Sequence, residues 1–432
     1  MQNEKTDTGR VLLLADLAFK YHESKPDTGM TLAIQGLELS RKIHFEKGEA
    51  VSLNRVGNVY FVLDNYPKAM AAYLQALRIN EKIHNLKGEQ SNLNNIGIIY
   101  RDGQSDDRTA LEYLFKADSI AKLLGDKKAL STALVNIANS YTNLKILDSA
   151  SQFALQAYNM AKEINYARIA GAALQRLGSI NLQTGDYQLA LDYCKASFPL
   201  LISAENYNNL SMVYLTTANI FDKLNQGDSV MLYAKQSYVT AKERGFTQFT
   251  RDAARFLSHY YRKYNTDSAF FYQDISKAAN DSLFSQQKQR QFQSLAFDEK
   301  LRQADIAAAE IKAKEQRSHN LQYAAIAVAL ITFIILFLLL SRSIVVKTKF
   351  IEFFGVLGLL AVFEFINLFI HPYLSHATND SPVLMLLILI GIGALLVPLH
   401  HRLEKWITKI MVEKNKKIRL DAAKKTIQQL EG

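Results

Sequence analysis

Glu364 stands inside the apolar run Phe350–Ile370, where a charge is costly enough to be read first as functional. Asn367 and His371 follow three and seven residues on, so all three share one helix face and form a polar stripe. Such a stripe suits a proton path or a ligand-sensing site; the plainer reading is a protonated Glu364 hydrogen-bonded within a bundle or between copies. His400-His401-Arg402-Leu403-Glu404 lies where the run Val383–Leu399 ends, the place a phosphoacceptor histidine would take. Only 28 residues follow Glu404, too few for an ATP-binding domain, so these histidines read as interfacial. Gly391-Ile392-Gly393 is a packing feature of its apolar run. No HExxH, Walker loop or G-x-S-x-G motif occurs, and no triad or carboxylate pair assembles on defensible loops. No catalytic residue, metal or cofactor is expected, and the chain reads as non-enzymatic.

The elements that would position such residues come from composition first. The 432 residues are 49% hydrophobic and 21% charged, which excludes wholesale disorder, and a single Cys194 excludes a disulfide framework or a cysteine zinc site. Of the net charge of +10, half falls in residues 402–432. Nucleic acid is therefore not the expected partner. Lys409, Lys414, Lys416, Lys417 and Arg419 instead suit anionic lipid headgroups, a solvated basic end being the alternative.

A forty-residue beat runs through the first 270 residues. Small residues recur at Ala18, Gly57, Gly97, Ala138, Gly178, Ala218 and Ser258, spaced 39, 40, 41, 40, 40 and 40 apart. Three residues after each stands a ring, from Tyr21, Tyr60, Tyr100 and Tyr141 to Phe221 and Tyr261, with Asn181 the exception. Each unit reads as two helices, the small residue letting them approach and the ring filling the gap. Asp64-Asn65, Gly185-Asp186 and Gly227-Asp228 supply turns between them, and Gly48, Gly88 and Gly125 are expected to cap the second helix in the left-handed conformation. One unit cannot bury its apolar face alone, so the units stack.

This pattern resembles the tetratricopeptide repeat in its forty-residue form, over residues 10–275, as six or seven repeats. Asn181 for the ring and Cys194 for the later aromatic depart from it in the fifth repeat. The resemblance implies a right-handed α-solenoid that binds protein or peptide. In this family the first helix of each repeat lines the concave face, with positions three before and one after the small residue pointing inward. Those positions carry Asn54, Asn58, Asn94, Asn139, Gln175 and Asn219, a row of amides able to pair with an extended peptide backbone or, alternatively, to bridge neighbouring helices.

Residues 281–320 are polar and free of Gly and Pro, and Phe297, Leu301, Ala304, Ala308 and Ile311 fall at 4-3-4-3 spacing, which predicts a stalk helix able to pair with a second copy. Three apolar runs, 321–341, 350–370 and 383–400, are each expected to span a bilayer. Lys/Arg asymmetry then places the solenoid outside and the tail, 402–432, in the cytoplasm. Export without a signal segment in residues 1–30 leads to the expectation of a start upstream of Met1.

The expected fold is thus all-α: solenoid, stalk helix and three transmembrane helices. The whole resembles the input half of bacterial sensor kinases with tetratricopeptide arrays, without the kinase. That implies a multi-pass inner-membrane protein with a periplasmic solenoid, a non-enzymatic scaffold or sensor. Its expected partners are a protein or peptide, membrane lipids and a second copy. Two other functions stay open: a kinase-less partner in a two-component-type system, acting through the tail, and a small transporter or channel subunit built on Glu364.

Overall fold

The structure, a computed structural model, describes residues 6–343, 353, 357–358, 360–370 and 382–430. The chain divides into two compact units, Met1–Ala308 and Ala309–Gly432.

The first unit is a run of antiparallel helix pairs. The pairs are α1 (Asp7–Tyr21) with α2 (Pro26–Lys42), α3 (Glu46–Val62) with α4 (Tyr66–Lys82), and α5 (Leu86–Gln104) with α6 (Asp107–Leu123). Next come α7 (Lys127–Asn143) with α8 (Leu147–Glu163), α9 (Ala167–Thr184) with α10 (Tyr187–Ser203), and α11 (Tyr207–Lys223) with α12 (Gly227–Glu243). Then α13 (Thr247–Tyr261) pairs with the start of the long α14 (Thr266–Ser343). The small residues do what their spacing implies. A methyl group on Gly57 would meet the Tyr73 ring, one on Gly97 would meet Leu114, and one on Gly178 would meet Cys194 Sγ. Cys194 thereby takes the place that the aromatic holds in the second repeat, and Asn181 turns back to donate to the Leu177 carbonyl at 2.9 Å.

Each turn from α2 through α13 passes through a left-handed residue, mostly not the expected glycine, whereas α1 and α13 end in right-handed caps at His22 and Arg262. His44, Asp64, His84, Ser105, Lys145, Asn165, Glu205 and Asn225 all have φ between 51° and 61°, joined by Gly125, Gly185 and Gly245. The pattern is a Schellman closure; after α3, Asp64 N–H donates to the Phe61 carbonyl and Asn65 N–H to the Tyr60 carbonyl. Asn65 then accepts from the Lys68 amide as the N-cap of α4. Gly48 and Gly88 instead lie in the first turns of α3 and α5, where a side chain would strike Phe45 and Asn80. Gly227 and Asp228 begin α12 rather than forming the turn.

The first part of α14 returns across the start of the solenoid. Phe297 and Ala304 are buried in one cluster with Val56, Tyr60 and Ala69, and Leu301 packs on its edge. Polar contacts flank this seam: Tyr60 to Asp298, Asn65 to Ser294, Arg290 to Asp64, and Arg41 to Asp305. The 4-3-4-3 row expected to pair with a second copy is therefore spent, in its first three members, on the chain's own repeats.

Among the described residues, no helix is long and apolar enough to cross a membrane. This overturns the three transmembrane helices, and with them the multi-pass inner-membrane location and the periplasmic solenoid with its cytoplasmic tail. A span needs about 20 consecutive apolar residues. Much of the second run, 350–352, 354–356 and 359, lies outside the described residues. The third run is the start of a helix, Pro382–Leu430, whose remainder carries the basic tail. The topological reason for expecting a missing export signal falls with the spans, as does the transporter reading.

Candidate binding groove

The first helices of successive repeats stand side by side and leave a groove of about 860 Å³ between them. Its wall is Phe19 from α1, then Asn54, Arg55 and Asn58 from α3, Ser91, Asn94, Asn95 and Ile98 from α5, Thr132 and Asn136 from α7, and Arg168 and Ile169 from α9. Three of the expected amides, Asn54, Asn58 and Asn94, are in this wall. Three are not among its lining residues. Gln175 is buried, Asn139 is half-buried with its Oδ1 enclosed and unpartnered, and Asn219 donates to Leu215 O of its own helix at 2.8 Å.

Two amides that the positional rule omits, Asn95 and Asn136, complete the wall. They sit two residues before the small residue of their repeats, the register also of Arg55 and Arg176. A forty-residue comparison at that register would have found the row Arg55, Asn95, Asn136 and Arg176.

The amides form one directed chain. Arg101 Nη1 donates to Asn136 Oδ1 at 3.2 Å, and Asn136 Nδ2 donates to Asn94 Oδ1 at 3.0 Å. Asn94 Nδ2 reaches Asn95 Oδ1 at 3.5 Å, and Asn95 Nδ2 reaches Asn58 Oδ1 at 3.4 Å. Tyr73, fully enclosed, donates its hydroxyl to the same Asn58 oxygen at 2.7 Å. Arginine can only donate, so Arg101 sets the orientation of every amide after it. The chain ends at Asn58 with its oxygen doubly engaged and its Nδ2 without a protein acceptor among the described residues. Asn54 forms a separate link, donating to Asn92 Oδ1 at 2.6 Å and accepting from Arg55 Nη1 at 2.9 Å.

Arg55 lies over the Phe19 ring, 4.7 Å from its centroid, with its Nε buried and unpartnered. Burial lowers its pKa, against a weaker pull from Asp16. Arg176 is pushed down to about 10, by burial first and by the positive Arg101 second. Groups this encumbered by their own charge are poor structural elements, and their cost is offset only by something that meets the charge.

The residues of the expected polar stripe are elsewhere. Glu364 is exposed and Asn367 half-buried on the helical stretch 360–370, and His371 lies outside the described residues.

Residues 50–87 match the family model of the tetratricopeptide repeat. No curated protein matches the chain. Among solved structures the chain is similar to the apo form of RapI, with a TM-score of 0.52 and 14% identity over 64% of this chain and 99% of that one. It is also similar to a Rap protein complexed with competence and sporulation factor, with a TM-score of 0.53 and 17% identity over 66% and 79% of the two chains. At such identities the likeness shows the fold, an all-α solenoid of tetratricopeptide-like repeats.

Proposed function

We propose that the chain is a non-enzymatic binding scaffold that holds an extended peptide or protein segment along the first helices of repeats one to five. The observation that carries this is the directed amide chain, which ends in an unmatched donor, Asn58 Nδ2, inside a groove large enough for a peptide. An extended backbone carries an acceptor at every residue and suits a row of amides whose orientation is already set. The Rap protein of the same fold, solved with competence and sporulation factor bound, supports the reading.

The test is to pan the full chain against a displayed library of random dodecapeptides and titrate the recovered sequences. Ser91→Trp and Thr132→Trp each place a large ring in the groove from a half-buried wall position. Loss of binding in both, with an unchanged melting temperature, supports the groove. Undiminished binding in both removes it.

A further inference from the structure

The groove offers donors and cations and keeps little of its own to receive them. Arg176 is not one of the residues lining the 860 Å³ groove, but it continues on α9 the register of Arg55, Asn95 and Asn136, which are; among the described residues it makes no hydrogen bond and no ion pair, and its Nε is buried. Its charged neighbour is Arg101, of the same sign, whose own carboxylate, Asp102, is the adjoining residue at 2.7 Å. Arg55 donates to one amide oxygen and lies over one ring; Asp16 draws on its charge, but it forms no ion pair among the described residues. Arg168 and Lys20 add positive charge to the wall, against Glu23, which sits 3.7 Å from His22. Arg55 and Arg176 occupy the same register of their helices, with Asn95 and Asn136 between them.

Resting on the peptide-binding reading above, we propose that the ligand is acidic: Arg55, in the groove wall, receives one carboxylate of the peptide, and Arg176, at the same register on α9, receives another. Guanidinium groups hold carboxylates through paired N–H donors; with both Nε atoms enclosed, the terminal nitrogens are left to meet them, Nη2 of Arg55 and both of Arg176. The path from α3 to α9 is three steps between first helices of about 9 Å each. At about 3.4 Å per residue of extended chain, the two acidic residues stand on the order of eight positions apart. The amides between them meet the backbone, so the arginines select charge and the amides select extended geometry.

The same dodecapeptide selection tests this with different readouts. The recovered sequences are expected to be rich in Asp and Glu, and Asp→Asn or Glu→Gln versions to lose at least tenfold in affinity. Arg176→Met is expected to lower affinity for the acidic peptides at least tenfold while leaving the melting temperature unchanged or higher, because it removes an unpaired, encumbered cation. Arg55→Gln supplies an independent second variant should Arg176→Met fail to fold. Neutral peptides that Ser91→Trp displaces, indifferent to Arg176→Met and Arg55→Gln, would overturn the acidic ligand and leave the groove standing. Recovery of no peptide at all counts against both readings. Phosphoserine peptides bound more than tenfold tighter than their aspartate counterparts would replace carboxylate by phosphate and overturn the assignment.

Discussion

The Tyr60 hydroxyl donates to the Asp298 carboxylate at 2.8 Å, across 238 residues of chain. Tyr60 belongs to the second repeat and Asp298 to α14, whose start completes the last pair, so this contact ties the solenoid's end to its beginning. Phe297, beside Asp298, is 1% exposed and shares a cluster with Tyr60. Phe297→Ala is expected to cost about 3–5 kcal/mol where α14 meets the repeats. Hydrogen exchange should then show early loss of protection over residues 290–305, with repeats three to six little changed. Uniform loss across the solenoid would mean that the closure and the repeats unfold as one.

Alkaline unfolding reads the same closure. Burial, and for Tyr60 the Asp298 carboxylate, raises the phenol pKa of Tyr60 and Tyr73 well above 10, and burial with Asp64 raises Tyr66 to about 12. A raised folded-state pKa gives stability that is complete below the unfolded value, near 10, and is lost as pH rises beyond it. Stability is therefore expected to be level from pH 7 to 9 and to fall above pH 10. Enclosed Tyr73 alone adds a slope of up to about 1.4 kcal/mol per pH unit. Tyr73→Phe should flatten the slope above pH 10 while lowering stability at pH 7, where the hydroxyl's bond to Asn58 is lost. Denaturant titrations at pH 8 and pH 11 separate the two effects.

The helix pairs were legible because a solenoid repeats the same packing problem, and Gly57, Gly97 and Gly178 answer it every forty residues. The caps were legible only in part. From α2 to α13 the turn geometry demands a left-handed residue just past the helix, and tertiary packing imposes it on His44 and His84, each following the C-cap, despite the cost to a side chain. Gly48 and Gly88 are glycines for a different reason, the nearness of Phe45 and Asn80. The return of α14 had no local signature. Asp298 and Tyr60 mark their contact by no spacing, and an apolar row such as Phe297, Leu301 and Ala304 reads equally as a seam for a second copy. In the groove, the amides were recognisable as a type, but the register two before the small residue emerges only once the side chains of adjacent helices meet.

Cys194 offers a test of the fifth repeat. A methyl group on Gly178 would lie 2.5 Å from Cys194 Sγ and 3.2 Å from the Ala190 carbonyl. Gly178→Ala is expected to destabilise by about 1–3 kcal/mol through overpacking. Adding Cys194→Ala should recover part of that loss by vacating the space, a coupling readable in a double-mutant cycle from chemical denaturation. Burial also pushes the thiol up to about 12, against a small opposing hydrogen bond to Thr217. The folded protein at pH 8 should accordingly resist iodoacetamide and react only as it unfolds.

Asn58 decides whether the amide chain serves binding or only joins helices. Its Oδ1 accepts from Tyr73 and Asn95, while its Nδ2 is the donor left over. Asn58→Ala removes both roles and strands the Tyr73 hydroxyl in the interior, so it should cost about 1–3 kcal/mol whatever the groove does. Asn58→Asp separates them. The carboxylate keeps the shape and still accepts from Tyr73 and Asn95, and the Arg55 guanidinium is close enough to act on Tyr73 and so to ease the added charge. What it loses is the terminal donor, replaced by an acceptor of negative charge. Asn58→Asp is expected to melt within a few degrees of the parent chain and to bind the selected peptides at least tenfold more weakly. Scanning calorimetry with peptide anisotropy titrations measures both. Unchanged binding in Asn58→Asp, alongside a destabilised Asn58→Ala, would leave the amide chain a purely structural bridge between α3, α5 and α7.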